Sequence, residues 1–411
     1  MALCLVFDDS LETMTNYGLQ YGPHLVALSV GYVIFSYASV PAHVGAEFGV
    51  GYTAVGLLMS AALFSFVLVQ VFGNRLVGDR PTLPVLLGVV CCNAVLAVVL
   101  DFAPSYESLL VLRAIWGLSG GLAVTVCAIH ISRINEGSRA TWHQGINGAM
   151  FALGGAISFV VTPQVIAITS WFGVHAVGGL IAVPAIVALW SGWTDADLTR
   201  PRVALGSTDT GGSNPRSTPI TNPIVLLAAW CYVASLGGYI TLSTFVTAYF
   251  SDIGVVGPVN ALALFVAALG RFGGGVVILR PNLNEGTLIA GTAVVGAVCL
   301  LALVIGSGPA LVALSLLALA AVSVPFGSIL KTAAVASPRD ATAVALVVAV
   351  GNAAALVLPA VTGWLRDVTG TYDLAFVLLA TLNVVAIAAG VAISRLEVER
   401  NEERDVTSVE D

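Results

Sequence analysis

Twelve apolar stretches, each about as long as a membrane is thick, limit what this chain of 411 residues can become. A helix rises ~1.5 Å per residue, so roughly 17–25 apolar residues cross a hydrocarbon core of ~30 Å. Only 9% of the residues are charged, against roughly 25% in soluble globular proteins. The sequence therefore predicts an all-α integral membrane protein. The predicted spans are 24–42, 52–74, 83–101, 108–131, 144–168, 173–193, 223–249, 258–279, 286–306, 309–331, 342–364 and 373–394.

The basic residues orient these spans, because cytoplasmic loops are enriched in lysine and arginine. With both termini in the cytoplasm, the outer loops hold only Arg366, while Arg113 and Arg271 fall inside spans. The cytoplasmic segments hold the other basic residues: Arg75, Arg80, Arg133, Arg139, Arg200, Arg202, Arg216, Arg280, Lys331, Arg339, Arg395, Arg400 and Arg404. We therefore predict a multi-pass protein of a plasma membrane with both termini cytoplasmic. The excess of arginine over lysine favours a prokaryotic source.

A polar segment divides the chain into two similar halves. Residues 194–222 are rich in glycine, serine, threonine and proline, which is typical of a flexible linker. Phe72-Gly73 and Arg80-Pro81 in the first half align with Phe272-Gly273 and Arg280-Pro281 in the second. Such repeats are typical of transporters. The predicted organisation is a six-span bundle over 1–193, a cytoplasmic linker over 194–222, a second bundle over 223–394 and an acidic cytoplasmic tail over 395–411.

The loop after the second span resembles a motif of the major facilitator superfamily, Gly-x-x-x-Asp-Arg-x-Gly. Asp79 and Arg80 match this pattern, whereas Arg75 and Thr82 replace its two glycines. In the family the aspartate helps to hold the cytoplasmic ends of the two bundles together. The resemblance implies a gating group; its expected members are Asp79, Arg80, Arg133 and Arg139. The alternative is that Asp79 is an ordinary charged residue beside a turn.

Two further motifs extend the resemblance over most of the chain. In the fourth span Arg113 precedes Gly117-x-x-x-Gly121, a spacing that lets another helix approach closely in lipid. The segment from Gly363 to Phe376 is similar to the family's connection between the last two spans. The resemblance implies twelve transmembrane helices in two pseudo-symmetric six-helix bundles, and transport by alternating access.

One basic residue, Arg271, lies deep in a predicted span. It precedes Arg280 by nine residues, which places it ~13 Å from the boundary and near the midplane. A charge at such depth costs ~2.5–3.5 kcal/mol on insertion scales and is a functional candidate. No aspartate or glutamate lies as deep, so an anionic substrate such as a carboxylate or nitrate would supply the missing charge. The alternative is a structural arginine that hydrogen-bonds backbone carbonyls.

The scarcity of buried carboxylates also bears on coupling. It favours exchange or facilitated diffusion over proton symport, with His43 and His130 as remaining titrating candidates that equally fit ordinary helix-end histidines. Within the superfamily, oxalate/formate-type and monocarboxylate carriers use an arginine in the eighth span, so the resemblance favours a small organic anion. Nitrate and nitrite carriers also use one in the second span, where this chain has Val71.

By family analogy, spans one, four, seven and ten line a central cavity. Their polar side chains and two asparagines from spans five and eleven suit a small polar solute, although each also fits a side chain bonded within its own helix. The predicted substrate-binding residues are Arg271, Arg113, Tyr32, Tyr37, Tyr239, Asn147 and Asn352. We expect a monomer in the lipid bilayer that binds a small, anionic substrate, with no cofactor, no metal and no nucleic acid.

Two other classes of function remain open on the sequence. An exporter of neutral or lipophilic compounds would leave Arg271 as a structural residue. A membrane-embedded enzyme or sensor is the remote alternative, since the sequence contains no HExxH motif and no deep carboxylate pair. The sequence therefore predicts a secondary active or facilitative transporter, not an enzyme, with a small organic or inorganic anion as its solute.

Overall fold

The computed structural model describes residues 17–78, 80–135, 137–200, 222–277, 284–337 and 340–410, except for the side chains of 70–75, 137–138, 141, 198, 340–342 and 399–410. The described chain is all-helical. Its α-helices are α1 (Tyr17–Phe35), α2 (Pro41–Phe48), α3 (Tyr52–Val77), α4 (Thr82–Leu100), α5 (Tyr106–Ile134), α6 (Gly137–Thr169), α7 (Ala176–Ser191), α8 (Pro223–Tyr232), α9 (Gly238–Asp252), α10 (Val259–Val277), α11 (Glu285–Ile305), α12 (Ala310–Ser323), α13 (Phe326–Ala336), α14 (Asp340–Thr369) and α15 (Asp373–Glu410).

These helices match the predicted spans in order. Within the described ranges, ten helical segments are long and apolar enough to cross a membrane. An eleventh is formed if α1 and α2, which bend by 68° where they meet, count as one span, and α7 is a shorter apolar helix. The all-α membrane fold is therefore confirmed, and the predicted count of twelve agrees approximately with these helices. The ends differ by several residues, and the first helix begins at Tyr17 rather than at position 24.

Successive spans alternate in direction, so their ends define two faces of the molecule. We call the face at which α1 begins the terminal face, and the opposite face the distal face. Helices α3, α5 and α10 run from the distal to the terminal face. Helices α1, α6 and α14 run the other way.

Three of the predicted spans are interrupted helices. α1 ends in a 3-10 turn over Ser36–Ser39, and α8 joins α9 through a π-helical turn over Val233–Gly237. α12 and α13 are separated at Pro325, because proline cannot donate the helical hydrogen bond and its ring clashes with the preceding turn. Such breaks leave backbone groups free for other partners.

The close approach predicted for Gly117-x-x-x-Gly121 is confirmed, and the partner helix is α3. A methyl group on Gly117 would overlap the carbonyl oxygen of Ala62, and one on Gly121 would lie 2.7 Å from the Cα of Phe66. Helices α3 and α5 therefore pack backbone against backbone, as small residues allow in lipid.

A buried carboxylate fixes the start of α7 at the distal face. Asp101 accepts hydrogen bonds from the backbone N–H groups of Gly173 (3.0 Å), His175 (3.0 Å) and Ala176 (2.8 Å). Its Oδ1 also lies 2.8 Å from Nδ1 of His175. These bonds satisfy N–H groups that the first turn of a helix leaves free. A carboxylate only accepts hydrogen bonds, so Nδ1 of His175 carries the hydrogen and donates it to Asp101.

The last helix extends well past its predicted end. α15 continues to Glu410, so the helix includes almost all of the acidic segment that the sequence analysis treated as a tail over 395–411. The segment contains neither glycine nor proline, and nothing local breaks the helix. The apolar pattern predicts where a membrane span ends. It does not predict where the helix ends, because a polar segment without glycine or proline can continue the helix.

Candidate functional site

The guanidinium of Arg271 is held between two aromatic rings of the second bundle. Its central carbon lies 4.0 Å from the ring centre of Tyr239 on α9 and 4.5 Å from that of Phe326 on α13. Both distances are within the range of cation–π attraction. The break at Pro325 places Phe326 at the first position of α13, where its ring can cover the arginine. Three helices therefore position this one charge.

One nitrogen of the same guanidinium has no partner among the described residues. The Nε of Arg271 is buried and has no hydrogen-bond partner among the described residues. The hydroxyl of Tyr239, whose ring covers one face of the guanidinium, is also buried and unpartnered there. Buried polar groups are nearly always hydrogen-bonded in proteins. The edge of Arg271 is therefore ready to bind a ligand with hydrogen-bond acceptors.

Serine side chains on the helices that contact α10 include further polar atoms without partners in the described chain. Ser323 lies where α12 meets α10, and a methyl group on Gly270 would be 3.2 Å from its Cβ. The hydroxyls of Ser323, of Ser328 on α13 and of Ser243 on α9 are buried and unpartnered within the described chain. The sequence analysis did not include these three serines in its predicted site, because serine is common in spans and by itself carries no signal.

Arg113, the other buried arginine, has a different environment. The whole residue is 0% exposed. Its guanidinium donates to the carbonyl oxygens of Val33 (3.0 Å), Ile34 (3.1 Å) and Leu58 (3.3 Å). Two of these carbonyls lie at the end of α1, where the helix gives way to the 3-10 turn. Arg113 therefore joins α5 to α1 and α3 within one bundle.

The predicted tyrosines divide between two environments. The hydroxyl of Tyr32 lies 3.0 Å from Oγ1 of Thr162 and links α1 to α6. The ring of Tyr37 stacks on Arg113 at 4.5 Å, and its buried hydroxyl has no partner in the described chain. The ring of Tyr239 covers Arg271 and also meets Phe35 at 5.9 Å. Of the three, only Tyr239 lies against Arg271 and also contacts the other bundle.

The two predicted asparagines are buried in different bundles. Asn147 on α6 has an unpartnered side-chain oxygen within the described chain and lies beside His24. Asn352 on α14 is buried, and its side chain is not without a partner. Asn147 therefore belongs to a polar group of the first bundle that the sequence analysis did not identify.

The predicted gating group is only partly described. Asp79 lies outside the described residues, and Arg80 and Arg139 are exposed. Arg133 donates from α5 to the carbonyl oxygens of Gly78 and Arg80, both at 2.7 Å. Arg133 therefore reaches the backbone on both sides of position 79. The partner of the Asp79 carboxylate stays a prediction.

The two bundles are joined at the distal face by a carboxylate that the sequence analysis placed in a motif without giving it a role. Asp367 at the end of α14 accepts hydrogen bonds from the backbone N–H groups of Tyr52 (2.9 Å) and Thr53 (2.7 Å) and from the Thr53 hydroxyl (2.6 Å). Asp367 thus caps the N-terminus of α3 from the other bundle. We call this contact the distal latch.

Small residues bring the same two helices together beside the distal latch. A methyl group on Gly56 of α3 would overlap the Pro359 carbonyl oxygen, and one on Gly363 of α14 would overlap that of Tyr52. The hydroxyl of Ser60 donates to the Leu356 carbonyl oxygen at 2.5 Å. Helices α3 and α14 are therefore in backbone contact, and this contact closes the distal side of the molecule.

Asp367→Asn should loosen the distal latch, since an amide offers one acceptor oxygen and its NH2 group faces N–H donors. Loss of a helix cap costs about 0.5–2 kcal/mol, which corresponds to local opening that is roughly 2- to 30-fold more frequent. Hydrogen–deuterium exchange of the first turn of α3 measures this opening. Asp373→Asn removes a distal carboxylate at the start of α15 and is the matched control. Equal exchange in Asp367→Asn and the wild type would show that the latch does not close the molecule.

Comparison with known proteins bears on the family and the fold. The sequence model described as Major Facilitator Superfamily matches residues 25–340. The crystal structure of a bacterial homolog to the human lysosomal transporter Spinster, in an inward-facing and occupied conformation, is similar with a TM-score of 0.69 at 16% identity, over 93% of this chain and 98% of that chain. At this identity the likeness shows the fold alone. No curated protein matches the sequence.

Proposed function

We propose that this chain, which belongs to the Major Facilitator Superfamily and is therefore a membrane transporter rather than an enzyme, carries a small anion that binds to Arg271. The observation that carries the proposal is the unpartnered, buried Nε of that arginine. Transport by alternating access exposes one central site to each side of the membrane in turn. Under this proposal Arg271 belongs to that central site.

The depth of Arg271 supports a functional role. It lies six residues from the terminal-face end of α10 and twelve from the distal end, which correspond to about 9 Å and 18 Å along the helix. An ionisable group at this depth costs several kcal/mol unless it is paired or hydrated. No described carboxylate forms an ion pair with it, so a bound anion would remove this cost.

The covering rings restrict the shape of the anion. The central carbon of the guanidinium lies over the rings of Tyr239 and Phe326, so we expect a ligand to approach along its edge. There the N–H bonds lie in the plane of the group, in the fork arrangement that matches two oxygens of a planar anion. Carboxylates and nitrate have this shape, and the proposal favours a small carboxylate.

We further propose the orientation and organisation given by the sequence. The terminal face would be cytoplasmic, since the basic residues outside the spans lie almost entirely on that side. The protein would be a monomer in the plasma membrane, with bundles over 1–193 and 223–394 that a linker over 194–222 connects.

The second candidate is an exporter of neutral or lipophilic compounds. The two ring contacts favour it, because cation–π attraction alone can hold a structural arginine in place. Under this alternative the two rings would be the binding surface and Arg271 would only position them.

A binding screen on the purified protein separates the two functions. Formate, acetate, oxalate, nitrate and cyanate are compared with neutral lipophilic compounds, and chloride at equal ionic strength controls for a general salt effect. A ligand present at 100 times its Kd should stabilise the protein by about 2.7 kcal/mol, which appears as a higher Tm. We expect a small carboxylate to raise the Tm. Stabilisation by lipophilic compounds and by none of the anions would support the exporter instead.

A further inference from the structure

A group of buried polar side chains lies in the terminal half of the first bundle, where α1, α5 and α6 meet. All are at most 7% exposed, although they are surrounded by apolar helices. The members are Gln20 and His24 on α1, Asn135 at the end of α5, and His143 and Asn147 on α6. We call this group the histidine cluster.

The two imidazoles of the cluster are bonded to each other. Nε2 of His24 lies 3.0 Å from Nδ1 of His143, and the rings are parallel within 5°. The amide nitrogen of Gln20 donates to Oδ1 of Asn135 at 3.0 Å and lies 2.5 Å from Nε2 of His143. A continuous chain of hydrogen bonds therefore runs from α5 through α1 and α6 and back to α1.

This chain fixes where the hydrogens are. Gln20 donates to Nε2 of His143, so a neutral His143 carries its hydrogen on Nδ1 and donates it to His24. A neutral His24 then carries its hydrogen on Nδ1, which has no partner among the described residues. Two acceptors of the cluster, Oε1 of Gln20 and Oδ1 of Asn147, are also unpartnered in the described chain.

We propose that the histidine cluster is the proton-binding site of this transporter and holds one proton, shared between His24 and His143. The proposal rests on the proposed transport function and names the coupling ion for it. The sequence favoured exchange or facilitated diffusion over proton symport, because the spans hold no deep carboxylate. The proposal differs from that expectation, because a pair of imidazoles can also bind and release a proton.

One added proton gives Oε1 of Gln20 a donor, whereas Nδ1–H of His24 is present in both protonation states. With the proton on Nε2 of His24, Nδ1 of His143 becomes the acceptor of their shared bond, and the hydrogen of His143 moves to Nε2. The amide of Gln20 then turns so that its free Oε1 accepts from that Nε2. Nδ1–H of His24 donates to Oδ1 of Asn147. The loaded cluster has three N–H groups on two rings, one more than the neutral cluster.

The surrounding charges limit the cluster to one proton. Among the described residues, the charged groups and histidines on the helices packed against it are Glu107, Arg113, His130 and Arg133 on α5, Arg139 on α6 and Arg271 on α10. Glu107 and Arg113 lie toward the distal start of α5, so the nearby charged groups of the described chain are basic; Glu136, which follows Asn135, lies outside the described residues. A second proton would meet the first imidazolium at hydrogen-bond distance, where like charges repel strongly.

The cluster also has a route to solvent and a link to Arg271. Tyr21 is 49% exposed, and its ring centre lies 6.1 Å from that of His24 and 5.9 Å from that of His143. One ring therefore separates the cluster from the surface of the protein. The neighbour of His143, Trp142, packs against Phe272 at 5.6 Å. Phe272 follows Arg271, so a change in α6 at His143 acts directly on the helix that carries the anion site.

Proton loading changes a contact between helices. When the Gln20 amide turns, its bond to Asn135 is lost, and this bond ties the terminal end of α1 to the end of α5. A proton can shift a conformational equilibrium only through such a difference in contacts between states. We therefore expect the protonated cluster to favour movement of α1 relative to α5.

The first test needs no substrate. Potentiometric titration from pH 8 to pH 4.5 compares the purified wild type with the double variant His24→Gln, His143→Gln, whose folding is checked by its Tm. The wild type should bind about one proton more per chain. A difference near zero would mean two permanently neutral histidines, and about two would mean independent titration; either result overturns the proposal. If the double variant does not fold, His24→Gln alone should remove the same single proton.

The second test measures coupling, with oxalate as the probe. Proteoliposomes are loaded with a pH-sensitive dye and given an inward gradient of labelled oxalate at an external pH of ~5.5 or ~7.5. The wild type should acidify the lumen as oxalate enters, faster at the lower pH, and the double variant should carry oxalate without acidification. Oxalate uptake without acidification in the wild type would overturn proton coupling. Absence of oxalate uptake by the wild type would count against the anion substrate, while the titration still decides the proton site.

Discussion

Arg271→Ala should lower uptake of the transported anion by about 100-fold or more, while the protein still inserts and folds. Truncating one partner of a buried charge pair costs 2–5 kcal/mol or more, because the other charge is left in a site built for its partner. Its Nε makes no hydrogen bond in the described chain, so at that atom the substitution removes no structural bond. Counterflow in proteoliposomes, with the anion found in the binding screen, measures the loss.

Two further variants make this result specific. Arg271→Lys keeps a positive charge but cannot form the planar fork between the rings of Tyr239 and Phe326, so we expect partial uptake with a raised KM. Arg395→Ala removes an exposed arginine from α15 and should leave transport unchanged. Wild-type anion uptake in Arg271→Ala would remove this residue from the site and favour the exporter of lipophilic compounds.

Arg113→Ala should reduce stability rather than recognition. The change leaves the carbonyl oxygens of Val33, Ile34 and Leu58 without the donor that now bonds them. Each buried acceptor left unpaired costs about 1–3 kcal/mol, and the cavity left by a fully buried side chain adds to this. We expect a loss of several kcal/mol, seen as a Tm lower by on the order of 10 °C. Fluorescence-detected thermal unfolding in detergent measures it.

The control for this second prediction is Arg113→Lys, whose ammonium can bond some of the same carbonyls and should recover part of the Tm. Anion affinity, measured below the Tm of the variant, should be close to that of the wild type. A normal Tm combined with lost anion binding would place Arg113 in the substrate site, as the sequence analysis predicted.

The two arginines show what sequence can and cannot reveal. Their depth follows from counting residues along apolar spans, and both depths are real. Their roles depend on what faces them. Arg113 meets carbonyls because α1 changes to a 3-10 turn after Phe35, and Arg271 meets rings because α12 breaks at Pro325. Hydropathy averages over such breaks, so it gives the span count and not the backbone groups that a break leaves free.

The histidine cluster could not be predicted from the sequence, for a different reason. His24 and His143 are 119 positions apart, and each lies alone in an apolar helix with no motif around it. Only the packing of α1 on α6 brings them to hydrogen-bond distance. Asp367 is the intermediate case, because the family motif marks the residue but its partners on α3 are more than 300 positions away.

The backbone contact of Gly56 and Gly363 makes the distal end of α3 a pivot. Because small residues meet the backbone there, few side chains would have to repack if one helix tilted against the other. About 32 Å of α3 extends from Gly56 to its terminal end, and a tilt of about 10° would carry that end roughly 5–6 Å. Loss of a few hydrogen bonds at the distal end of α3 could therefore open a gap the size of a small carboxylate at its terminal end.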